Sequence, residues 1–239
     1  MKQNILPLGR RLGAIAAEVR EGVVLYDVGT DHAYLPVALL RAGRISSAVA
    51  SDVVQGPLSR AAETVTRAGM AGRITLRLAD GLQGIPLTPP CDVTIAGMGG
   101  ELIASILEAA EQVKLPGVRL ILQPMTKPES LRRYLAAHGF VIERERAVED
   151  GKLYEILVCH YDGKSYALSE EEALLGRRGT RCEDETFLRL VTKKTAVICR
   201  MTEGQRRGGV SDPELLALLE TLEALEKQLT QREPKGDAL

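Results

Sequence analysis

The chain has no tryptophan, two phenylalanines and six tyrosines in 239 residues. So few rings leave little for base stacking, and recognition of any nucleic acid would have to rest on shape and phosphates. An excess of either charge is also missing. The 31 Lys and Arg face 32 Asp and Glu, for a net charge of -1. That excludes a strongly basic protein, so contact with a polyanion would need a local basic face. No apolar run reaches the roughly 18 residues of a membrane span. The opening MKQNILPLGRRLG lacks a long apolar core and a small-residue cleavage site, so no secretion signal is expected. Cysteine is sparse: Cys91, Cys159, Cys182 and Cys199 lie far apart and form no C-x-x-C pair. With only three scattered histidines, no metal site is expected, and the thiols fit a reducing cytoplasm. Cys91, beside an expected strand, reads as core filler.

What is present is alternation. Strand-like segments at 23–27, 47–52, 74–78, 92–96 and 118–122 are separated by helix-like ones. The helices are expected at 34–42, from Pro57 to Gly69, along Leu102, Ile103, Ile106, Leu107 and Ala110, and from Pro128 to Gly139. An amphipathic helix with Leu12, Ile15, Ala16 and Val19 precedes them. The segments 140–145 and 154–160, joined through an EDGK turn, read as an antiparallel hairpin. This predicts an α/β fold: a seven-stranded, mostly parallel sheet with helices on both faces. After Tyr161 the pattern changes. Phe187, Leu190, Val191, Lys194, Val197, Ile198 and Met201 repeat at helical spacing, and Leu215, Leu218, Leu222, Leu225 and Leu229 repeat in heptad steps. Two helices folding back as a short antiparallel coiled coil are expected. The division is thus 1–161 for the α/β domain and 162–239 for a C-terminal helical appendage, with EPKGDAL frayed at the end.

In a doubly wound sheet, ligands bind beyond the carboxyl ends of the strands. Those ends carry Asp27, Gly29, Asp31 and His32, then Asp52, then Asp80 and Gly81. They continue with Gly97, Met98, Gly99 and Gly100, and finally Gln123 and Pro124. Aspartates at three successive strand ends would repel a pyrophosphate, and the full G-x-G-x-x-G spacing is absent. A ligand with a cationic centre, an amino group, a ribose and an adenine fits better, and S-adenosylmethionine has all four. Gly29 would let the chain approach its amino-acid part, with Asp27 beside it. Asp52 would accept the ribose hydroxyls and Asp80, next to Gly81, the adenine amino group. Val53 and Leu82 would sandwich the ring. Taken singly, each aspartate is equally a helix cap or turn residue.

DVGTDHAYLP, TIAGMGGELIASIL, LILQP and EDGKLYEILV, in this order, resemble the bacterial tRNA (adenine-22-N1)-methyltransferase family. The resemblance runs from about Leu8 to Tyr161, and the helical tail fits it. It implies a Rossmann-like class I methyltransferase, S-adenosylmethionine as donor and a D-arm adenine of tRNA as acceptor. Two departures from the wider methyltransferase pattern matter. Asp31 and Ala33 stand where second and third glycines are usual, and AlaGlyMetGlyGly replaces the Asn/Asp-Pro-Pro-Tyr/Phe of exocyclic amino methylation, which favours a ring nitrogen.

On this resemblance Asp31 either stabilises charge on the base and takes its proton, or orients the turn and holds the cofactor's ammonium. His32 is a base or a cover for the methionine moiety. Tyr34 stacks on the target adenine or caps a core helix. Gly97 adjoins the cofactor, Met98 lines the adenine pocket or is a core methionine, Gly99 adjoins the acceptor, Gln123 bonds a base edge and Pro124 shapes the pocket. Arg10, Arg11, Lys127, Arg132 and Arg133 are candidate RNA contacts, as are Arg177, Arg178, Arg181, Lys193 and Lys194 in the tail. No DNA, membrane or metal partner is expected, and the expected state is a monomer, or at most a weak dimer, in the cytoplasm. The competing readings are a methyltransferase for another RNA or a small molecule, and a non-catalytic binding module.

Overall fold

Near-continuous apolar strands need cover on both faces, and the computed structural model, which describes residues 8–231, supplies it. The expectations for the first seven residues and for EPKGDAL lie outside the described residues. In chain order the elements are α1 (Arg10–Glu18), β1 (Val24–Val28), α2 (Tyr34–Arg41), β2 (Ser47–Asp52), α3 (Gln55–Arg67) and β3 (Ile74–Leu78). Then come β4 (Cys91–Gly99), α4 (Gly100–Glu108), a 3-10 turn (Glu111–Lys114), β5 (Val118–Thr126), α5 (Pro128–Ala137), β6 (Phe140–Asp150) and β7 (Lys152–Tyr161). The chain continues with α6 (Glu170–Leu175), α7 (Glu185–Arg207) and α8 (Pro213–Thr230).

The sheet runs β3-β2-β1-β4-β5-β7-β6. β1 to β5 are parallel, and β7 is antiparallel to both β5 and β6. The order reverses between β1 and β4, so their carboxyl ends open the crevice where a ligand fits. One face buries Ile15, Leu25, Leu39, Ala50, Ile121 and Ile156 beneath α1, α2 and α3. The other buries Val93, Ile103, Leu107, Leu122, Leu135 and Phe140 beneath α4 and α5.

Several elements outrun their expected ends. β4 and β5 continue together through Gly97-Met98-Gly99 and Gln123-Pro124, pairing Ala96 with Gln123 and Met98 with Pro124. Pro124 has no N–H for the ladder, so the register shifts there instead of the pairing ending. The β6–β7 hairpin closes on Gly151, whose φ of 69° suits the tight turn. α6 was not expected, although Ser169 and Glu172 form a reciprocal capping box that starts it.

Beyond α6, α7 and α8 fold back on each other. The turn uses Gly209, then Asp212, whose carboxylate accepts from the amides of Glu214 and Leu215. Leu190, Val191 and Ile198 meet Leu222, Leu225 and Leu229, and Ala147 of β6 and Leu175 of α6 join the same cluster. Leu215 and Leu218 are only half-buried, while Val197 and Met201 face solvent, so the apolar seam thins toward the turn.

Candidate active site at the carboxyl edge of the sheet

The loop after β1 is braced from below. Buried Asp27 accepts a hydrogen bond from the Thr30 hydroxyl and another from the Thr94 hydroxyl, each 2.7 Å. Burial pushes its carboxyl above the usual range, and the two hydroxyls work against that rise. The amides of Gly29 and Thr30 both donate to the Ser51 carbonyl of β2. Gly29 has a φ of 73°, and a Cβ there would overlap the Met98 methyl. Asp31 and Ala33 are also left-handed, with φ of 48° and 55°. Such backbone costs a non-glycine residue roughly 1–2 kcal/mol and is held only when its surroundings dictate it.

That backbone turns three polar side chains outward. The Asp31 carboxylate, 57% exposed, lies 2.8 Å from Arg60 of α3 and 3.6 Å from His32 Nε2. The His32 and Tyr34 rings stack nearly parallel, 4.9 Å between centroids and 4° between planes. Tyr34 opens α2 and remains 37% exposed. Asp31, His32 and Tyr34 therefore come together as one accessible cluster. Arg60 was missed, because a lone arginine on an amphipathic helix carries no local signal.

The next strand ends open on the same edge of the sheet. One Asp52 oxygen accepts the Val54 amide at 2.9 Å, an Asx turn that aims the carboxylate, and Val53 beside it is exposed. A cavity of about 170 Å³ lies between the loop after β3 and α4, lined by Asp80, Leu82, Leu102, Ser105, Ile106 and Ala109 among others. Gly81 lets that loop press on Ile106, where a Cβ would come within 2.9 Å. Leu82 is 1% exposed and part of the core. It lines the cavity beside Asp80. Met98 is half-buried, with its methyl against Gly29. Gly97 is exposed, with φ of 81°. Gly99 packs near the Thr126 hydroxyl, and a Cβ on Gly100 would overlap the Lys127 carbonyl, so small residues let α4 begin against the β5–α5 junction.

Beyond β5 the structure corrects three expectations. Gln123 is fully buried. Its amide donates to the Pro124 carbonyl at 2.8 Å and its oxygen accepts from Arg11 Nη1 at 2.7 Å, so it has nothing left for a base edge. Pro124 is buried as well and shapes the strand rather than an open pocket. Arg132, 2% exposed, is no RNA contact. It donates to Glu145 and Glu155, each at 2.6 Å, and to the carbonyls of Ala173 and Leu174. Burial works against its charge, but the two carboxylates outweigh burial and raise its pKa. The same attraction, reinforced by Lys194 at 3.4 Å, overcomes burial at Glu155 and lowers its pKa.

Arg181 is likewise buried, bonded to Glu171, Glu183 and the Gly176 carbonyl and stacked over Phe187. Gly176 closes this knot, since a Cβ on it would overlap Glu145. Arg133 and Lys127 stay exposed but pair with Glu170 and Glu101. Arg177 and Arg178 reach Glu172 and Glu171, while Arg10 and Lys193 are exposed. The inward acids Glu145 and Glu155 escaped notice because a strand pattern is read by its apolar residues.

Among the described residues, no group of three or more His, Cys, Asp or Glu could hold a metal, and no helix is long and apolar enough to cross a membrane. All four cysteines are free. The glycine-lined approach at Gly29, the aimed carboxylate of Asp52 and the cavity beside Asp80 together fit an adenosyl ligand.

Comparison with known proteins agrees. Residues 25–204 match the model of a family described as tRNA (adenine(22)-N(1))-methyltransferase. The chain is 38% identical over 170 residues to the Bacillus subtilis protein of that description, covering 68% of this chain and 71% of the relative. Its structure is similar to that of the B. subtilis m1A22 tRNA methyltransferase, with TM-score 0.74 and 30% identity, over 95% of this chain and 98% of that one. It is also similar to a Streptococcus pneumoniae protein crystallised with S-adenosyl-L-methionine, with TM-score 0.75 and 34% identity, over 93% and 99%.

Proposed function

Because the chain belongs to the tRNA (adenine(22)-N(1))-methyltransferase family, we propose that its carboxyl-edge residues divide between two reactants, Asp52 and the Asp80 cavity serving the cofactor and Asp31, His32 and Tyr34 the adenine. The enzyme transfers a methyl group from S-adenosylmethionine to N1 of adenine 22 in tRNA. The cofactor supplies an electrophilic methyl on a sulfonium. Asp52 holds the ribose hydroxyls, Asp80 accepts from the adenine amino group over the Leu82 floor, and Gly29, Gly97 and Met98 lie beside the methionine part.

The lone pair of adenine N1 lies in the ring plane and needs no deprotonation before attack. Positioning therefore carries most of the rate. The methylated base is cationic, and Asp31 stands where a carboxylate can stabilise that charge and then accept the N6 proton. The observation that carries this reading is the exposed cluster itself: a carboxylate beside a parallel His32–Tyr34 stack, on backbone held left-handed at Asp31 and Ala33. The stack offers a flat surface to an unpaired adenine. N1 lies on the Watson–Crick edge, so the base must be unpaired or flipped out.

Residues 1–161 form the methyltransferase domain and 162–239 the helical one, which bears on the tRNA through Lys193 and its exposed arginines. A monomer without DNA as substrate, in a cytoplasm that keeps the four thiols reduced, completes the reading. The test uses purified protein, labelled S-adenosylmethionine and unmodified tRNA, followed by nucleoside mapping. One 1-methyladenosine at position 22, lost when that adenine is replaced, is expected. Label in any other nucleoside would overturn it.

A further inference from the structure

Many of the chain's arginines are held by acids, whereas Arg11, like Arg44 and Arg73, is held by neutral groups. Arg20, Arg60, Arg119, Arg132, Arg133 and Arg189 each meet a carboxylate within 3.2 Å. The Arg11 guanidinium meets none among the described residues. One of its nitrogens donates to Gln123 Oε1 at 2.7 Å, and its carbon sits 5.6 Å from the centre of the Tyr154 ring. Only its backbone amide touches an acid, Asp150, at 3.1 Å. A guanidinium has five donors, and this one spends one of them on a neutral partner. Its charge is therefore fixed in place but not neutralised.

Its surroundings make the position deliberate. Gln123 is fully buried, with both ends of its amide engaged, so it cannot follow Arg11 out to solvent. Gln123 pairs with Ala96, two residues beyond the Thr94 that braces Asp27. The neighbours of Gln123 and Tyr154 on their strands, Ile121 and Ile156, belong to the core under α1 and α2. Arg11 thus stands at the carboxyl edge, on the face of the sheet where α2 begins with Tyr34. A phosphodiester passing the acceptor side would find a planar, oriented, uncompensated donor there.

Resting on the methyltransferase reading, we propose that Arg11, preorganised by Gln123 and Tyr154, grips the RNA phosphodiester adjoining the target adenosine. Arg11 is a binding residue and Gln123 a positioning residue. The fork geometry of arginine suits two phosphate oxygens at once, which a lysine cannot match.

The experiment measures equilibrium binding of unmodified tRNA across a salt series for the wild type, Arg11→Gln, Arg11→Lys and Gln123→Glu, with S-adenosylmethionine affinity measured alongside. Arg11→Gln is expected to weaken tRNA binding roughly 10- to 100-fold. It should also lower the slope of log affinity against log salt by about 0.7–0.9, the loss of one phosphate contact. Arg11→Lys should restore the slope but only part of the affinity. Gln123→Glu sets a carboxylate against the guanidinium and should lose both while Arg11 remains. Cofactor affinity should stay within about twofold throughout, a range far inside the one decade per 1.4 kcal/mol that marks a lost contact. An unchanged salt slope in Arg11→Gln overturns the proposal, as does a parallel fall in cofactor affinity. Methyl transfer by the wild type reads the parent function separately. Its absence would sink that function, whereas transfer with wild-type tRNA binding by Arg11→Gln would sink only this inference.

Discussion

Two regions of the molecule crowd charged groups together and use them in opposite ways. In the loop after β1, Asp31 is more than half exposed and shares its carboxylate between Arg60 and His32. In the joint between the α/β domain and the helical hairpin, Arg132, Glu145, Glu155 and Arg181 are sealed from water. Charges in the joint pair with one another and fix a geometry, although Glu145 Oε1 and Arg181 Nη2 are buried without a hydrogen-bond partner among the described residues. Charges in the loop are left partly unspent, on backbone that would relax if its surroundings allowed. Water access, more than residue type, separates a group that can meet a substrate from one that holds the fold.

This contrast can be broken. Asp31→Ala should leave folding intact and lower methyl transfer by about 10²- to 10⁴-fold if the carboxylate takes part in proton transfer; single-turnover rates would show it, and a near-normal rate would make the loop structural like the joint. Arg132→Met should do the reverse. It leaves buried Glu145 without its ion partner and Glu155 with Lys194 alone, and should cost about 3–5 kcal/mol of stability in a denaturant titration, with cofactor affinity little changed in the protein that remains folded. A loss of cofactor affinity without loss of stability would blur the two regions into one.

The smallest effect concerns pH. The pKa of Glu155 is lowered in the folded protein, so its contribution is complete above its ordinary value of 4.5 and is lost as pH falls through the folded value. Asp27 has the opposite sign: its pKa is raised by burial, so its contribution is present below 3.8 and is lost as pH rises through the folded value. Melting temperatures taken downward from neutral pH should therefore fall less steeply below pH 4.5 in Glu155→Gln than in the wild type. Identical slopes would remove Glu155 from the acid response.

The loop was readable in the sequence and the joint was not, for physical reasons. A glycine or an aspartate just past an apolar strand is a local signal, so Gly29, Asp31, Asp52 and Asp80 could be placed by chain position alone. The sheet was readable for the same reason, from strand-length apolar runs between helix starts and stops. Arg132 was misread because its fate depends on a distant segment. Leu131, Leu135 and Ala136 mark the buried face of α5, and Arg132 shares it because α6 covers that side. The capping box of Ser169 announces α6 but not where it docks. Gln123 was misread similarly: its partner, Arg11, lies 112 positions away.

The joint has one more consequence, a mechanical one. α7 has 23 residues, which at 1.5 Å per residue makes an arm about 35 Å long. A tilt of about 5° at its root would carry the far tip some 3 Å sideways, about the length of one hydrogen bond. Gly176, pressed against Glu145 with no room for a side chain, sits at the pivot. Its missing Cβ sets the tolerance with which that long lever is held against the sheet.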